Sequence, residues 1–396
     1  MSDNDPRSIL HRTQRIVVKV GSSILTQNGE LREPMFGEIA RQVATLRRDG
    51  REVVLVSSGA IAIGSRELGW DHPGHSIPEK QAAAAVGQIG LIELYRRRFA
   101  DYDITIGQVL VTRSGLEDRE RFLNARHTLT QLIGLGAVPI VNENDTVATE
   151  EIRFGDNDNL SATVVNLVAA DLLVIFTDVE GLYIHQPEAG QPSPPLFDVV
   201  DEITPEVERA AQGAVSTFGR GGMKTKLEAA TAATASGAST VLCNGLERDA
   251  LLRVVGGEPL GTLFTPAEGN RVLASRKHWL AFTRKTRGTL QLDLGATQAI
   301  TRDGRSLLPA GIVSVDGSFQ VGDPVACTDP NGREVARGLV AYESEAVGRI
   351  AGRATRDIGQ VLGYSNGDEI IHRDDLVTLE THDSTPASDQ RLDTDH

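Results

Sequence analysis

The sequence predicts an α/β fold, in which a mainly parallel central sheet carries helices on both faces and is followed by a small β-rich domain. Three observations predict it. From Arg15 to about Gly245, short apolar runs alternate with helical patterns, the rhythm of strand–helix–strand units. The runs are continuously β-branched and apolar rather than alternating, as in strands buried on both faces. After about Arg271 the rhythm gives way to short runs parted by the turn dipeptides Asp303-Gly304, Asp316-Gly317 and Asn331-Gly332.

Each element follows from local pattern. Arg15-Ile16-Val17-Val18-Lys19-Val20 reads as the first strand. Phe36, Ile39, Val43 and Leu46 then recur at helical spacing, and Gly50 ends that helix after Arg47-Arg48. Val53–Val56, Ile104–Val111, Val138–Val141, Leu172–Phe176 and Thr240–Cys243 continue the strand series. A helical pattern starts at Leu160, and Leu227-Glu228-Ala229-Ala230 opens another that closes at Gly237. These elements place one domain at residues 12–270. Gly311–Val315 and Asp323–Cys327 read as strands of a second, small β-rich domain at 287–367, with a linker within Ser275–Thr286. Residues 380–396 are polar and read as a disordered tail.

Composition narrows the functional classes. The chain has 396 residues, 40% hydrophobic and 24% charged, which is ordinary globular usage. Aromatics are only 4%, so the core rests on Val, Ile, Leu and Ala. Lys and Arg number 40 against 54 Asp and Glu, a net charge of −14. That argues against broad nucleic-acid binding, which needs a basic footprint. Cys243 and Cys327 are far apart and lack zinc spacing, which fits a reducing cytoplasm. The acidic N-terminus has no apolar signal segment, and no window is long and apolar enough to span a bilayer. The histidines show no metal-ligand spacing, so no protein metal site is expected.

In parallel α/β sheets, ligands bind beyond the carboxyl ends of the strands. Four strand exits here carry small or polar residues: Gly21-Ser22-Ser23, Ser57-Ser58-Gly59-Ala60, Asn142-Glu143-Asn144-Asp145 and Thr177-Asp178. A further block, Gly155-Asp156-Asn157-Asp158-Asn159, precedes the Leu160 helical pattern. Gathered acids and amides suit a zwitterion, because acids attract an ammonium and amide N–H groups donate to a carboxylate. A turn plus a helix cap accounts for the same composition. Lys19 lies inside an apolar strand one residue before its end. An unpaired buried ammonium is costly, so either its head reaches the ligand crevice or the strand is an edge with a snorkelling lysine. The segment Gly219-Arg220-Gly221-Gly222-Met223-Lys224-Thr225-Lys226 runs into a helix. Its glycines and helix start suit a phosphate, yet it matches neither the P-loop nor the dinucleotide fingerprint. Glu117-Asp118-Arg119-Glu120-Arg121 reads as a solvated helix face.

Taken together, Val17–Ser23, Ser57–Ile61, Asn142–Thr149, Gly155–Ala162, Thr177-Asp178, Gly219–Lys226 and Asp118–Arg126 resemble the glutamate 5-kinases, a branch of the amino acid kinase family. The resemblance covers roughly Arg12 to Pro266, and Leu307–Ile312 is similar to the PUA domain appended to many bacterial members. It implies the amino acid kinase fold and ATP-dependent phosphorylation of the γ-carboxylate of L-glutamate, the first step of proline biosynthesis. It also implies Mg²⁺, inhibition by proline, and a homo-oligomer, dimer or tetramer. Residue by residue, it implies that Lys19 and Lys226 stabilise the transferred phosphoryl group and that Asp158 aligns them. Ser58, Asn142, Asp145 and Asn157 would hold glutamate, with Asp145 on its ammonium. Thr177, Asp178, Arg220, Gly221, Gly222, Met223, Lys224 and Thr225 would bind ATP together with the two lysines. Arg220 and Lys224 depart from the smaller polar residues of some members.

Two alternatives stay open. Another amino acid kinase could act on acetylglutamate, aspartate, carbamate or a nucleotide. The PUA-like domain could bind RNA, although Arg302, Arg305, Arg333, Arg337, Arg349, Arg353 and Arg356 are diluted there by acids such as Asp293, Asp316, Asp329 and Glu334.

Overall fold

The computed structural model describes residues 5–27, 30–148, 157–187, 191–212, 222–266 and 286–379. The chain divides into two compact units near residue 272. The first is built on an eight-stranded sheet. Its strands are Arg15–Val20 (β1), Glu52–Ser57 (β2), Ile106–Val111 (β3), Val138–Glu143 (β4), Leu172–Thr177 (β5), Val199–Val200 (β6), Ser239–Asn244 (β7) and Thr262–Phe264 (β8). They lie in the order β3-β4-β2-β1-β5-β7-β8-β6. Every pairing is parallel except β7 with β8.

Alternation along the strands divides the core between two faces. Val18 and Val20 of β1 join Leu55, Val174 and Phe176 in one cluster, together with helices Glu33–Arg48 (α1) and Ile77–Ala100 (α3). Val17 joins Val54, Val56, Leu173 and Ile175 in the other, with helices Asn157–Val168 (α5) and Met223–Ala235 (α6). The period of two therefore sends Lys19 to the same face as Val17, under α5 and α6. Because β1 lies between β2 and β5, Lys19 is not on an edge strand. A short helix, Ala60–Glu67 (α2), follows β2, and Arg119–Gly134 (α4) follows β3.

Three details differ from the sequence expectation. Strand β4 runs through Asn142 and Glu143, so these residues are its last two rather than a turn after it. Helix α5 begins at Asn157, not Leu160, because Asn and Asp suit a helix start as well as a turn. Asn159 is thus inside the first turn. The Glu117–Arg121 run is not one helix face, since Asp118 separates two helices and its carboxylate caps the second by accepting from the Arg121 backbone N–H at 3.0 Å.

The second unit has a five-stranded sheet of Gly288–Leu292 (β9), Ile312–Gly317 (β10), Pro324–Thr328 (β11), Glu334–Leu339 (β12) and Leu376–Thr378 (β13), in the order β10-β9-β11-β12-β13. Short helices at Leu294–Thr301 and Ser344–Ile350 cover its core around Phe319, Tyr342 and Ile350. No helix among the described residues is long and apolar enough to cross a membrane.

Candidate active site

The carboxyl ends of β1, β2, β4 and β5 and the N-terminal ends of α5 and α6 meet around one buried carboxylate. Asp158, 1% exposed, lies in the first turn of α5. Its Oδ1 is 2.6 Å from the Lys19 Nζ, and its Oδ2 accepts from the Lys226 Nζ at 3.1 Å and from the Thr225 hydroxyl at 2.9 Å. Burial alone would raise the Asp158 pKa, but the two ammonium groups and Thr225 overcome it and hold the carboxyl down at about 2. Both lysines are nearly buried, at 6% and 8% exposure.

This places two cations against one anion, a net positive charge in a dry setting. An ammonium carries three donors. Lys19 has Asp158 as its one ionic partner among the described residues. A Cβ at Gly21 would lie 3.4 Å from the Lys19 Nζ, so glycine leaves room beside the ammonium. Helix α6 begins at Met223 after Gly222, which has no side chain to cap it. Its first backbone N–H groups are therefore available to an anion.

Beside the lysines lies a carboxamide cluster. The Asn157 Nδ2 donates toward the Ser57 carbonyl oxygen at 2.9 Å, the Ser58 hydroxyl at 3.0 Å and the Asn142 Oδ1 at 2.9 Å. The Asn142 Oδ1 also accepts from the Glu143 backbone N–H at 2.9 Å. With Nδ2 occupied, the Asn157 Oδ1 is left as the acceptor that faces away from the cluster. Gly59, with φ +108°, turns the chain sharply between Ser58 and α2. A side chain at that φ is strained.

The structure thus brings together Lys19, Lys226 and Asp158 as one group, and Ser58, Asn142 and Asn157 as another. Asp145 lies half-buried in the turn after β4. Thr177 is buried at the end of β5 and donates to the Asp178 carboxylate at 3.2 Å, while Asp178 itself is exposed. Gly222 precedes α6, and Met223 packs into the core beneath it. The Lys224 side chain is 72% exposed and lies 3.9 Å from Glu228, one turn along the helix. Arg220 and Gly221 lie outside the described residues. The resemblance places Thr225 among the ATP-binding residues, and its hydroxyl also donates to the Asp158 carboxylate. Its spacing, one residue before Lys226 at a helix start, was the available signal. The buried Cys243 and Cys327 thiols are both pushed up to about 12 by burial, so neither is a nucleophile at neutral pH.

Two lysines and a helix start around one carboxylate, at the strand exits of a mainly parallel sheet, define an anion-handling α/β enzyme site. Residues 14–244 match the amino acid kinase family and residues 288–362 match the PUA domain. A glutamate 5-kinase of Moorella thermoacetica is 47% identical over 96% of this chain and 100% of its own length. One of Geobacter sulfurreducens is 49% identical over 94% of this chain and 99% of its own, and one of Paraburkholderia phymatum is 49% identical over 94% and 100%. The chain belongs to the amino acid kinase family, on its glutamate 5-kinase branch.

Proposed function

We propose that the chain transfers the γ-phosphoryl group of ATP to the γ-carboxylate of L-glutamate, giving γ-glutamyl phosphate and ADP. The observation that carries this reading is the pairing of a two-lysine anion site with an adjacent carboxamide cluster. A carboxylate oxygen of glutamate attacks the γ-phosphorus, the bond to the ADP oxygen breaks, and ADP leaves with that electron pair. The acceptor is already ionised at neutral pH, so no general base and no protein nucleophile are needed. Catalysis then consists of positioning and charge stabilisation. Lys19 and Lys226 supply the charge, Asp158 fixes their spacing, and the α6 start with Gly222, Met223, Lys224 and Thr225 meets the nucleotide phosphates, with Thr177 and Asp178 alongside. Ser58, Asn142 and Asn157 orient the amino acid, the Asn157 Oδ1 accepting from its ammonium and Asp145 pairing with the same group.

Among the described residues no group of three His, Cys, Asp or Glu could hold a metal ion, and both Asp158 oxygens face lysines. A Mg²⁺ would come in with the nucleotide. It would neutralise phosphate charge. Inhibition by proline, a homo-oligomeric state and a cytoplasmic location complete the proposal.

The test is ATP consumption against a panel of acidic amino acids, with and without proline. Turnover with glutamate alone, suppressed by proline, is expected. Turnover only with an acylated amino acid, aspartate or a nucleotide would replace glutamate as the acceptor. Asp145→Asn is expected to raise the KM for glutamate by about tenfold to a hundredfold and leave that for ATP unchanged, since a hydrogen bond to a charged group is worth roughly 1.5–3 kcal/mol. Equal effects on both substrates would remove Asp145 from the amino acid site.

A further inference from the structure

Behind the carboxamide cluster lies a residue that the mechanism above does not use. Gln88, on α3, accepts through its Oε1 from the Asn142 Nδ2 at 2.8 Å. The Asn142 Oδ1 in turn accepts from Asn157. A directed line of amides therefore runs from Gln88 through Asn142 to Asn157 and Ser58. Its polarity is set at one end. The Glu143 backbone N–H and the Asn157 Nδ2 both need Asn142 to present its oxygen, and only an acceptor behind Asn142 matches the amino group it then presents to Gln88.

Two further observations mark Gln88 as more than a surface amide. Its Nε2 is buried and has no hydrogen-bond partner among the described residues. An orphaned buried donor is costly, so what this side chain contributes lies at its other end, the Oε1 that holds Asn142. The backbone around it is also built for close approach. A Cβ at Gly87 would lie 2.0 Å from the Ala60 carbonyl oxygen, and one at Gly64 would lie 1.7 Å from that of Ala83. Only glycines allow α3 to press against α2 here, two residues beyond Ser58. This crossing ties the helix that carries Gln88 to the strand exit that carries Ser58.

We infer that Gln88 is a positioning residue for amino acid binding, acting through Asn142 to keep the Asn157 carbonyl turned toward the substrate ammonium. The inference rests on the assignment of Asn142 and Asn157 to glutamate. Without the Oε1 acceptor the Asn142 Nδ2 is left unpaired, and the Asn142 amide, then held only through its Oδ1 by Glu143 and Asn157, positions Asn157 less firmly. The defect belongs to glutamate binding, not to phosphoryl transfer, because Lys19 and Lys226 are held by Asp158, which is not part of this line.

The experiment is steady-state kinetics on the full chain with Gln88→Leu, Gln88→Glu, Asn142→Ala and the Gln88→Leu/Asn142→Ala double variant. Gln88→Leu is expected to raise the KM for glutamate by roughly tenfold, the scale of one hydrogen bond in a charged site. The kcat and the KM for ATP should stay within about twofold. Its melting temperature should stay within about 3 °C, because the substitution removes one orphaned donor and frees another. Gln88→Glu keeps an acceptor oxygen at the same reach and should recover most of the glutamate affinity. The double variant should be no worse than Asn142→Ala alone, since Gln88 acts through that residue. The inference is overturned by an unchanged glutamate KM in Gln88→Leu, by equal shifts for both substrates, by additive effects in the double variant, or by no recovery in Gln88→Glu. If Asn142→Ala itself leaves the glutamate KM unmoved, the assignment of the amino acid site fails first, and this inference with it.

Discussion

Two buried cationic centres in the first unit differ in what holds their charge. Arg7, 2% exposed, sits in a short 3-10 helix at the N-terminal end of the described chain. Its guanidinium donates to the carbonyl oxygens of Glu258, Leu260, Gly261 and Asp198 and to the Asp198 carboxylate, at 2.7–3.3 Å. All five of its N–H groups have an acceptor. The Lys19 and Lys226 ammonium groups instead share one carboxylate, between a glycine-lined strand exit and a helix start without a side-chain cap. A fully satisfied buried cation fastens one piece of chain to another, here the N-terminal segment to the loop before β8. In the function proposed above, two buried lysines on one carboxylate are arranged for an anion that comes and goes. Burial of charge alone therefore does not separate structure from function, whereas the kind of partner that holds the charge does.

The largest test of that contrast is Lys226→Ala. On the proposed role of Lys226, removing its charge should lower kcat by roughly 10²–10³-fold. Asp158 keeps Lys19 and Thr225 as partners, so the circular dichroism spectrum should remain that of the folded chain. An unchanged kcat in a folded variant would take Lys226 out of the mechanism. Arg7→Met should show the reverse pattern. Several backbone carbonyls lose a charged donor at once, at a cost of roughly 2–4 kcal/mol and a clearly lower melting temperature. The kcat and both KM values should stay within about twofold. A kinetic defect comparable to that of Lys226→Ala would merge the two centres into one functional system.

How far these centres could be read in the sequence follows from the same physics. The central strands were legible because burial on both faces writes an unbroken β-branched run. Lys19 was legible as the one charge that interrupts such a run. The start of α5 was not, because Asn157-Asp158-Asn159 suits a turn and a first helical turn alike, and only tertiary contact with Lys19 and Lys226 decides. Strands β6 and β8, of two and three residues, are too short to show a period. The helices Leu294–Thr301 and Ser344–Ile350 span about two turns each and were hidden among the turn signals of the second unit. Gln88 and Arg7 left no local signal. A glutamine in an alanine-rich helix looks like any polar face, and its partner Asn142 lies 54 residues away. Most acceptors of Arg7 are backbone carbonyls more than 190 residues distant, and carbonyls carry no sequence identity.

Acid titration separates the two centres by the smallest of the three effects. The Asp158 carboxyl is held at about 2 in the folded chain, whereas an unfolded aspartate titrates near about 3.9. A carboxyl with a depressed folded pKa contributes stability that is present above the unfolded value and is lost as pH falls toward the folded one. The contribution is roughly 2 kcal/mol, and its window runs from about pH 4 down to about pH 2. The stability gap between the wild type and Asp158→Asn, measured by urea unfolding, should therefore be wide at pH 5 and narrow progressively below about pH 4. The gap between the wild type and Arg7→Met should stay nearly flat over the same window. The guanidinium remains charged throughout, most of its acceptors are carbonyls that do not titrate, and Asp198 is 70% exposed, where pairing is worth little. A flat Asp158 gap would mean that the carboxylate is not the ionised partner of the two lysines. A narrowing Arg7 gap would mean that its pairing with Asp198 outweighs the carbonyls.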